Sequence, residues 1–175
     1  MNKAEYQSNQ ALEIRAPVES DFDAYICFIQ QIAEETKFTY HYPNEPLPSK
    51  EAQIALWQSP YRYTQAIFDS DKMVGYFCFY VTNPNHPYLK HNGGTHTYIL
   101  REYQGRGLGT YFLKNISEHA TRMGVKRISA NIHADNAANL KCMQRQGFVI
   151  ESVKKNRYFV DGKYVDCYEL VKWID

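Results

Sequence analysis

Gln104-Gly105-Arg106-Gly107-Leu108-Gly109-Thr110 sets three alternating glycines where an apolar strand, Thr95 to Leu100, runs into an amphipathic helix. Glycine lacks a Cβ, so the backbone is free to take positive φ here and to approach a ligand closely. The unpaired N–H groups of a first helical turn, together with the helix dipole, point at whatever docks there. Such a junction suits an anion of the pyrophosphate kind. The same residues also fit a tight strand-to-helix turn with no ligand, so the flanking sequence has to separate the two readings.

Downstream, Leu108, Tyr111, Phe112, Ile116 and His119 recur on one helical face until Gly124 ends the helix. Arg127 to His133 reads as a fifth strand, and the helix between makes a strand-helix-strand crossover. The fourth and fifth strands are therefore expected to run parallel. A further helix opens near Asn136 and stops at Gly147. Phe148 to Val160 and Lys163 to Trp173 then form two antiparallel strands closed by Asp161-Gly162, a two-residue hairpin signal.

Upstream, Ala11 to Arg15 reads as a short first strand. Ser20 or Asp21 caps a helix carrying Phe22, Tyr25, Ile26, Ile29 and Ile32 at helical spacing. Pro43, Pro46 and Pro48 deny regular structure to the next segment. Ser49 then caps a short helix with Ile54 and Trp57, and strands over Tyr61 to Phe68 and Met73 to Val81 follow, joined by Asp69-Ser70-Asp71-Lys72. The connection Asn83 to Gly94 is longer than a hairpin requires, which fits either a binding loop or a solvated insertion.

Length and composition narrow the class. The chain has 175 residues, 44% of them hydrophobic, and a net charge of +1, which suits one globular domain over residues 1–175 with a full core; residues 1–10 read as a flexible extension. No single-sign excess exists to release counterions from a phosphate backbone, so nucleic acid is not the expected partner. No apolar run approaches the length needed to span a bilayer, so no membrane partner is expected. Cys27, Cys78, Cys142 and Cys167 show no metal-ligand spacing and read as reduced thiols of a cytoplasmic protein, with no metal.

Two separated stretches resemble one family. Leu100 through Gly109 is similar to the acetyl-CoA signature of the GNAT N-acetyltransferases, the pattern (R/Q)xxGxG after a strand. Asn136 through Gly147-Phe148 resembles the same family's later motif, an asparagine that opens a helix ending in Gly-Phe. The resemblance covers roughly Glu13 to the carboxyl terminus and implies a mixed α/β, acyl-CoA N-acyltransferase fold. That fold is a central twisted sheet of about seven strands flanked by about four helices, with strands four and five parallel but splayed. It implies acetyl-CoA as cosubstrate, lodged in the opening. Ile99 and Leu100 would give main-chain hydrogen bonds to pantetheine, and the amides from Gln104 through Gly105, Arg106, Gly107, Leu108 and Gly109 to Thr110 would hold the pyrophosphate. Asn136, Asn139 and Met143 complete the implied cofactor-binding set; Asn136 equally reads as a helix N-cap.

An alkyl amine with a pKa of about 10.4 must lose a proton before it attacks a thioester, at a cost of roughly 4 to 5 kcal/mol at pH 7. In the family a carboxylate on the fourth strand often assists, but the corresponding position here is Gly94. His96 shares its strand parity and is the leading candidate base, with His133 and Glu35 behind it. The family's proton-donating tyrosine is replaced by Met143, which has no proton to give, leaving Tyr98, Tyr111 or water as donors. Glu35, Phe38, Tyr40 and Tyr158 are the candidate acceptor-binding residues, for a small-molecule or peptide amine. Similar proteins are often homodimers. The resulting reading is direct acetyl transfer to a primary amine in a ternary complex. The alternatives are a non-catalytic acyl-CoA sensor or interaction module, or a transferase acting on oxygen or with longer acyl chains.

Overall fold

A computed structural model describes residues 11–174, so the amino-terminal extension expected over residues 1–10 lies outside the described part. Seven strands form one sheet: β1 Glu13–Arg15, β2 Arg62–Asp69, β3 Lys72–Val81, β4 Asn92–Ile99, β5 Arg127–His133, β6 Val149–Val160 and β7 Lys163–Trp173. Their spatial order is β1-β2-β3-β4-β5-β7-β6. Every pairing is antiparallel except β4 with β5, the pair joined by the crossover. Four α-helices accompany it among the described residues: α1 Phe22–Glu35, α2 Lys50–Trp57, α3 Leu108–Arg122 and α4 Ala137–Arg145.

The central strand β3 is buried on both faces, which is why it reads as an almost continuous apolar run. Successive residues serve opposite layers. Tyr76 meets Tyr25 of α1, with ring centroids 5.4 Å apart, while Phe77 stacks on Phe112 of α3 at 4.5 Å. Thus α1 and α2 cover one face, and α3 covers the other with α4 beside it. In α1 the buried stripe is Tyr25, Phe28, Ile29 and Ile32, a helical spacing that includes Phe28 where the sequence pattern had favoured Phe22 and Ile26. In α3 the buried residues are Phe112, Leu113, Ile116 and Ala120, whereas Tyr111 is 47% exposed. Phe112 fixes that rotation, because only a stripe centred on it lays the helix flat against Phe77.

Local chemistry accounts for the ends. Ser49 caps α2 as expected, its hydroxyl accepting from the Ala52 N–H at 3.2 Å. Asp21 does not cap α1 with its side chain. Its carboxylate instead accepts from both Arg15 guanidinium nitrogens, at 2.6 and 2.9 Å, and from the Val18 N–H at 2.7 Å. The Arg15 guanidinium holds the Asp21 carboxyl below the usual carboxylate range. This pair ties β1 to the start of α1.

The largest departure from the sequence reading lies in β4, which begins at Asn92 rather than Thr95. Gly93 and Gly94 pair with Val81 and Tyr80, so two glycines expected in a loop are strand residues. Neighbouring rings explain why no side chain sits there. A Cβ on Gly93 would lie 2.6 Å from the Phe79 ring, and one on Gly94 2.6 Å from the Tyr80 ring. Rings from β3 cover both glycines and supply the packing that the missing side chains would have given.

Replacing Gly93 with valine is expected to destabilise the protein by about 1 to 3 kcal/mol, the usual cost of overpacking a filled core. Phe79 is fully buried and has nowhere to retreat. Urea unfolding of the variant checks this, and an unchanged midpoint would contradict the close approach of β4 to β3.

Candidate active site

Pairing between β4 and β5 covers only Asn92↔Arg127, Gly93↔Ile128 and Gly94↔Ser129. Beyond Gly94 the two strands part. The Leu100 N–H donates to the Val74 carbonyl at 3.0 Å, which fixes the phase of β4 against β3. Because antiparallel strands alternate in where their main-chain groups point, Gly94, His96 and Tyr98 turn theirs to β3, while Thr95 turns its own to the last β5 pairing and Thr97 and Ile99 turn theirs toward the opening. Main-chain groups withdrawn from a ladder need other partners.

A cavity of ≈ 270 Å³ runs through this opening. On the α3–α4 side it is lined by Gly109, Leu113, Asn136, Asn139, Cys142 and Met143, and on the α1–α2 side by Phe38, Tyr40, Tyr80, His96, Tyr98 and Tyr158. The glycine turn stands at its end. Gly105 and Gly107 have φ of 76° and 81°, and nothing lies within 4 Å of where their Cβ atoms would be. Gly107 is the N-cap of α3 and no side chain caps that helix. The first main-chain bond there runs from the Tyr111 N–H to the Gly107 carbonyl at 2.9 Å, so the Leu108, Gly109 and Thr110 amides have no acceptor within the helix. An uncapped N-terminus with open left-handed glycines suits a diphosphate, and the parted strand suits an amide-bearing arm.

The sequence-predicted residues divide around this frame. Ile99 faces the opening, although its carbonyl already accepts from the Gln104 side-chain amide at 2.8 Å. Leu100 turns its N–H to Val74, and its carbonyl, which accepts from the Tyr103 N–H at 2.9 Å, keeps one lone pair for a ligand. Thr97 is the next residue of the right parity. Arg106 folds back along the turn, donating to the Glu102 carbonyl at 3.0 Å with its guanidinium 4.8 Å from the Tyr103 ring centroid. Asn136 caps α4 by accepting from the Asn139 N–H at 3.2 Å, which leaves its side-chain NH₂ free to donate. Met143 is buried at the cavity wall.

Among the candidate bases, His96 and His133 line the cavity and Glu35 does not. The Glu35 carboxylate accepts from the Arg101 N–H at 2.8 Å and from the Gln31 amide at 2.7 Å, and the Arg101 guanidinium donates to the Glu35 carbonyl at 2.6 Å. This joins the end of α1 to the loop after β4. Glu35 opens instead on a shallow outer groove with Glu34, Lys37, His41 and Asp161. His96 lies between Tyr80 and Tyr98, its ring 6.0 and 5.6 Å from theirs, and burial pushes its pKa down to about 4, helped by the Arg62 charge. The ring still borders the cavity, so water in the open cleft offsets part of this cost.

His133 is 8% exposed, stacked on Tyr158 at 3.7 Å and edge-on to Phe38 at 5.6 Å, and burial lowers its pKa as well. Its Nδ1 is buried without a hydrogen-bond partner, the nearest carboxylate oxygen being that of Asp135 at 3.9 Å. Burial raises Tyr98 to about 12 and raises Tyr158 too, so both phenols stay protonated at neutral pH. Tyr80 and Thr39 were not singled out from sequence; Tyr80 stands opposite Gly94 in a register that the sequence reading, with Gly94 in a loop, did not contain. No cluster of three or more His, Cys, Asp or Glu side chains able to hold a metal occurs among the described residues, and no helix there is long and apolar enough to cross a membrane.

A histidine titrating near 4 when folded and 6.5 when unfolded favours the native state fully above pH 6.5, and that contribution is lost as the pH falls toward 4. Stability is therefore expected to drop across this window, His96 contributing up to about 3 kcal/mol. Replacing His96 with asparagine should flatten the dependence measured by thermal unfolding between pH 4 and 7. An identical dependence in the variant would show that His96 titrates normally.

Comparison with known proteins bears on the same frame. A family model described as acetyltransferase (GNAT) family matches residues 29–148. No curated protein matches the sequence. Among solved structures, a GNAT-family acetyltransferase from Streptococcus pneumoniae is 24% identical with a TM-score of 0.85, covering 94% of this chain and 100% of its own. An N-acetyltransferase from Staphylococcus aureus is 17% identical with a TM-score of 0.82, over 95% of this chain and 100% of its own. A phosphinothricin acetyltransferase from Sinorhizobium meliloti, solved in complex with acetyl-CoA, is 18% identical with a TM-score of 0.77, over 94% of this chain and 89% of its own. At these identities the likeness concerns the fold.

Proposed function

This chain belongs to the acetyltransferase (GNAT) family, whose activity is acetyl-CoA-dependent acetyl transfer, and we propose that here the acetyl group passes directly to a primary amine in a ternary complex. The observation that carries this reading is the cavity through the parted strands, which joins the glycine turn on one side of the sheet to an aromatic chamber on the other. Acetyl-CoA, when bound, supplies a thioester whose thiolate, with an ordinary thiol pKa near 8.5, departs without obligatory protonation.

The chain's own groups divide the remaining work. The Leu108, Gly109 and Thr110 amides bind the diphosphate at the helix N-terminus, each charge-assisted bond contributing on the order of 1.5 to 3 kcal/mol. The main-chain groups of Thr97 and Ile99 orient the pantetheine arm, and the Asn136 and Asn139 side chains flank it. Met143 packs against it without donating a proton. The Tyr80, Tyr98 and Tyr158 hydroxyls, all held protonated, line the cavity as acids, that of Tyr158 donating to the Cys167 sulfur at 3.6 Å.

Magnitudes decide how the amine is activated. Losing its proton to water at pH 7 costs an alkylammonium about 4.6 kcal/mol, whereas passing it to a histidine lowered below the usual 6.5 costs more than about 5 kcal/mol. His96 therefore does not deprotonate a bound ammonium. The desolvating chamber selects the neutral amine, and His96 accepts a proton only as the new N–C bond makes that nitrogen acidic.

Two measurements test this. Substituting Gly107 by valine forces a branched residue into φ of 81°, yet meets no neighbouring atom. The variant is expected to fold with a modest loss of stability and to bind acetyl-CoA at least about tenfold more weakly by calorimetry; unchanged affinity would remove the cradle from the account. With the intact protein, kcat/KM is expected to rise about tenfold per pH unit between pH 6 and 9 for an alkylamine, following its neutral fraction. A plateau above pH 7 would point to a base with an ordinary histidine pKa and contradict the role given to the chamber.

A further inference from the structure

We propose that the acceptor is an aromatic primary amine carrying no anionic group, a molecule of arylalkylamine type; this deepens the acetyl-transfer reading and rests on it. The acceptor side of the cavity is built from two walls of rings. Tyr80, His96 and Tyr98 form one, with centroids 6.0 Å apart between Tyr80 and His96 and 5.6 Å between His96 and Tyr98. Phe38, His133 and Tyr158 form the other, the first pair edge-on at 5.6 Å and the second stacked at 3.7 Å. A flat ring between such walls gains offset and edge contacts with both, beyond what its area alone provides.

The chamber is also without formal charge. No Asp, Glu, Lys or Arg side chain lines it among the described residues, and both histidines are held neutral at pH 7 by burial. The nearby charges lie behind the rings rather than in the cavity wall: His41, 5.8 Å from the Tyr98 ring, pairs with Glu45, and the Arg62 charge acts on His96 through the Tyr80 side of the wall. Arg62 lies 5.2 Å from the Tyr80 ring centroid and donates to the Cys78 sulfur at 2.8 Å, outside the cavity lining. Lys37 pairs with Asp135 at 2.9 Å. An acceptor bearing a carboxylate or phosphinate would leave water with no cation in the cavity lining to meet it, and a polyamine would bring further ammonium groups where no carboxylate lines the cavity. The acidic Glu34 and Asp161 lie in the outer groove, exposed to solvent and its screening salt.

The test uses the full chain and matched acceptors. Coenzyme A is titrated alone by calorimetry; phenethylamine, phenylalanine and spermidine are then titrated into the protein saturated with it, and thiol release from acetyl-CoA is followed for each. Phenethylamine is expected to bind, and to turn over with kcat/KM roughly 100-fold above phenylalanine, which differs only by its carboxylate, and above spermidine. Equal or better use of phenylalanine or spermidine would overturn the inference. So would absence of phenethylamine binding while coenzyme A binds normally, a result that leaves the cofactor site standing. Failure of coenzyme A itself to bind would sink the acetyl-transfer reading and this inference with it. Phe38→Leu keeps apolar bulk but removes a ring, and should raise the KM for phenethylamine severalfold without changing coenzyme A affinity; an unchanged KM in the folded variant would contradict the ring walls.

Discussion

The separation of β4 from β5 after Gly94 is the constraint on which the rest of the structure depends. A parallel pair that stops after three residue pairs leaves the main chain of Thr97 and Ile99 without strand partners in the middle of a sheet. Interior amides and carbonyls without partners are costly, so such a gap persists in a native fold only if something fills it. Every nearby feature serves the gap. Rings from β3 cover Gly93 and Gly94, the last β4 residues still paired with β5. The glycine turn then delivers α3 with its N-terminus open at one end of the slot, and Asn136 seats α4 along the side.

The same gap connects two environments of opposite character. At the glycine turn the main chain presents partial positive charge, suited to a diphosphate. Across the sheet the chamber carries no formal charge and is walled by rings. This asymmetry bears on the two positions where the resemblance would place a carboxylate and a tyrosine. A side chain at residue 94 would meet the Tyr80 ring, and residue 143 is a methionine buried at the cavity wall. A neutral chamber lowers the cost of carrying a neutral amine and raises that of an ammonium, which supplies by desolvation part of what a base would supply by proton transfer.

Much of this was legible in the chain because the signals were local. The spaced glycines, the Asp161-Gly162 turn and the alternation of Ile128, Ala130 and Ile132 with polar residues from Arg127 to His133 each specify their element through nearest neighbours, and β5 and β7 have the expected bounds. What the sequence concealed depended on partners far along the chain. Gly93 and Gly94 look like loop residues until the rings of Phe79 and Tyr80 are laid over them. Which of Ile99 and Leu100 faces the gap is a question of phase that only the bond to Val74 resolves. Glu35 looked like a free acid beside the site, and its engagement with Arg101 across 66 residues could not be read from composition or spacing. The ring walls likewise gather Phe38, Tyr80, His133 and Tyr158 from four separate elements.

Hydrogen–deuterium exchange read at single amides tests the central claim most directly. In the free protein, the amides of Thr97 and Ile99 and of Leu108 to Thr110 should exchange quickly, while those of His96 and Tyr98, bonded to β3, exchange slowly. Saturating coenzyme A should protect the first group and leave the second unchanged. Protection confined to other segments, or equal protection of odd and even residues along β4 in the free protein, would contradict the gap as the binding element.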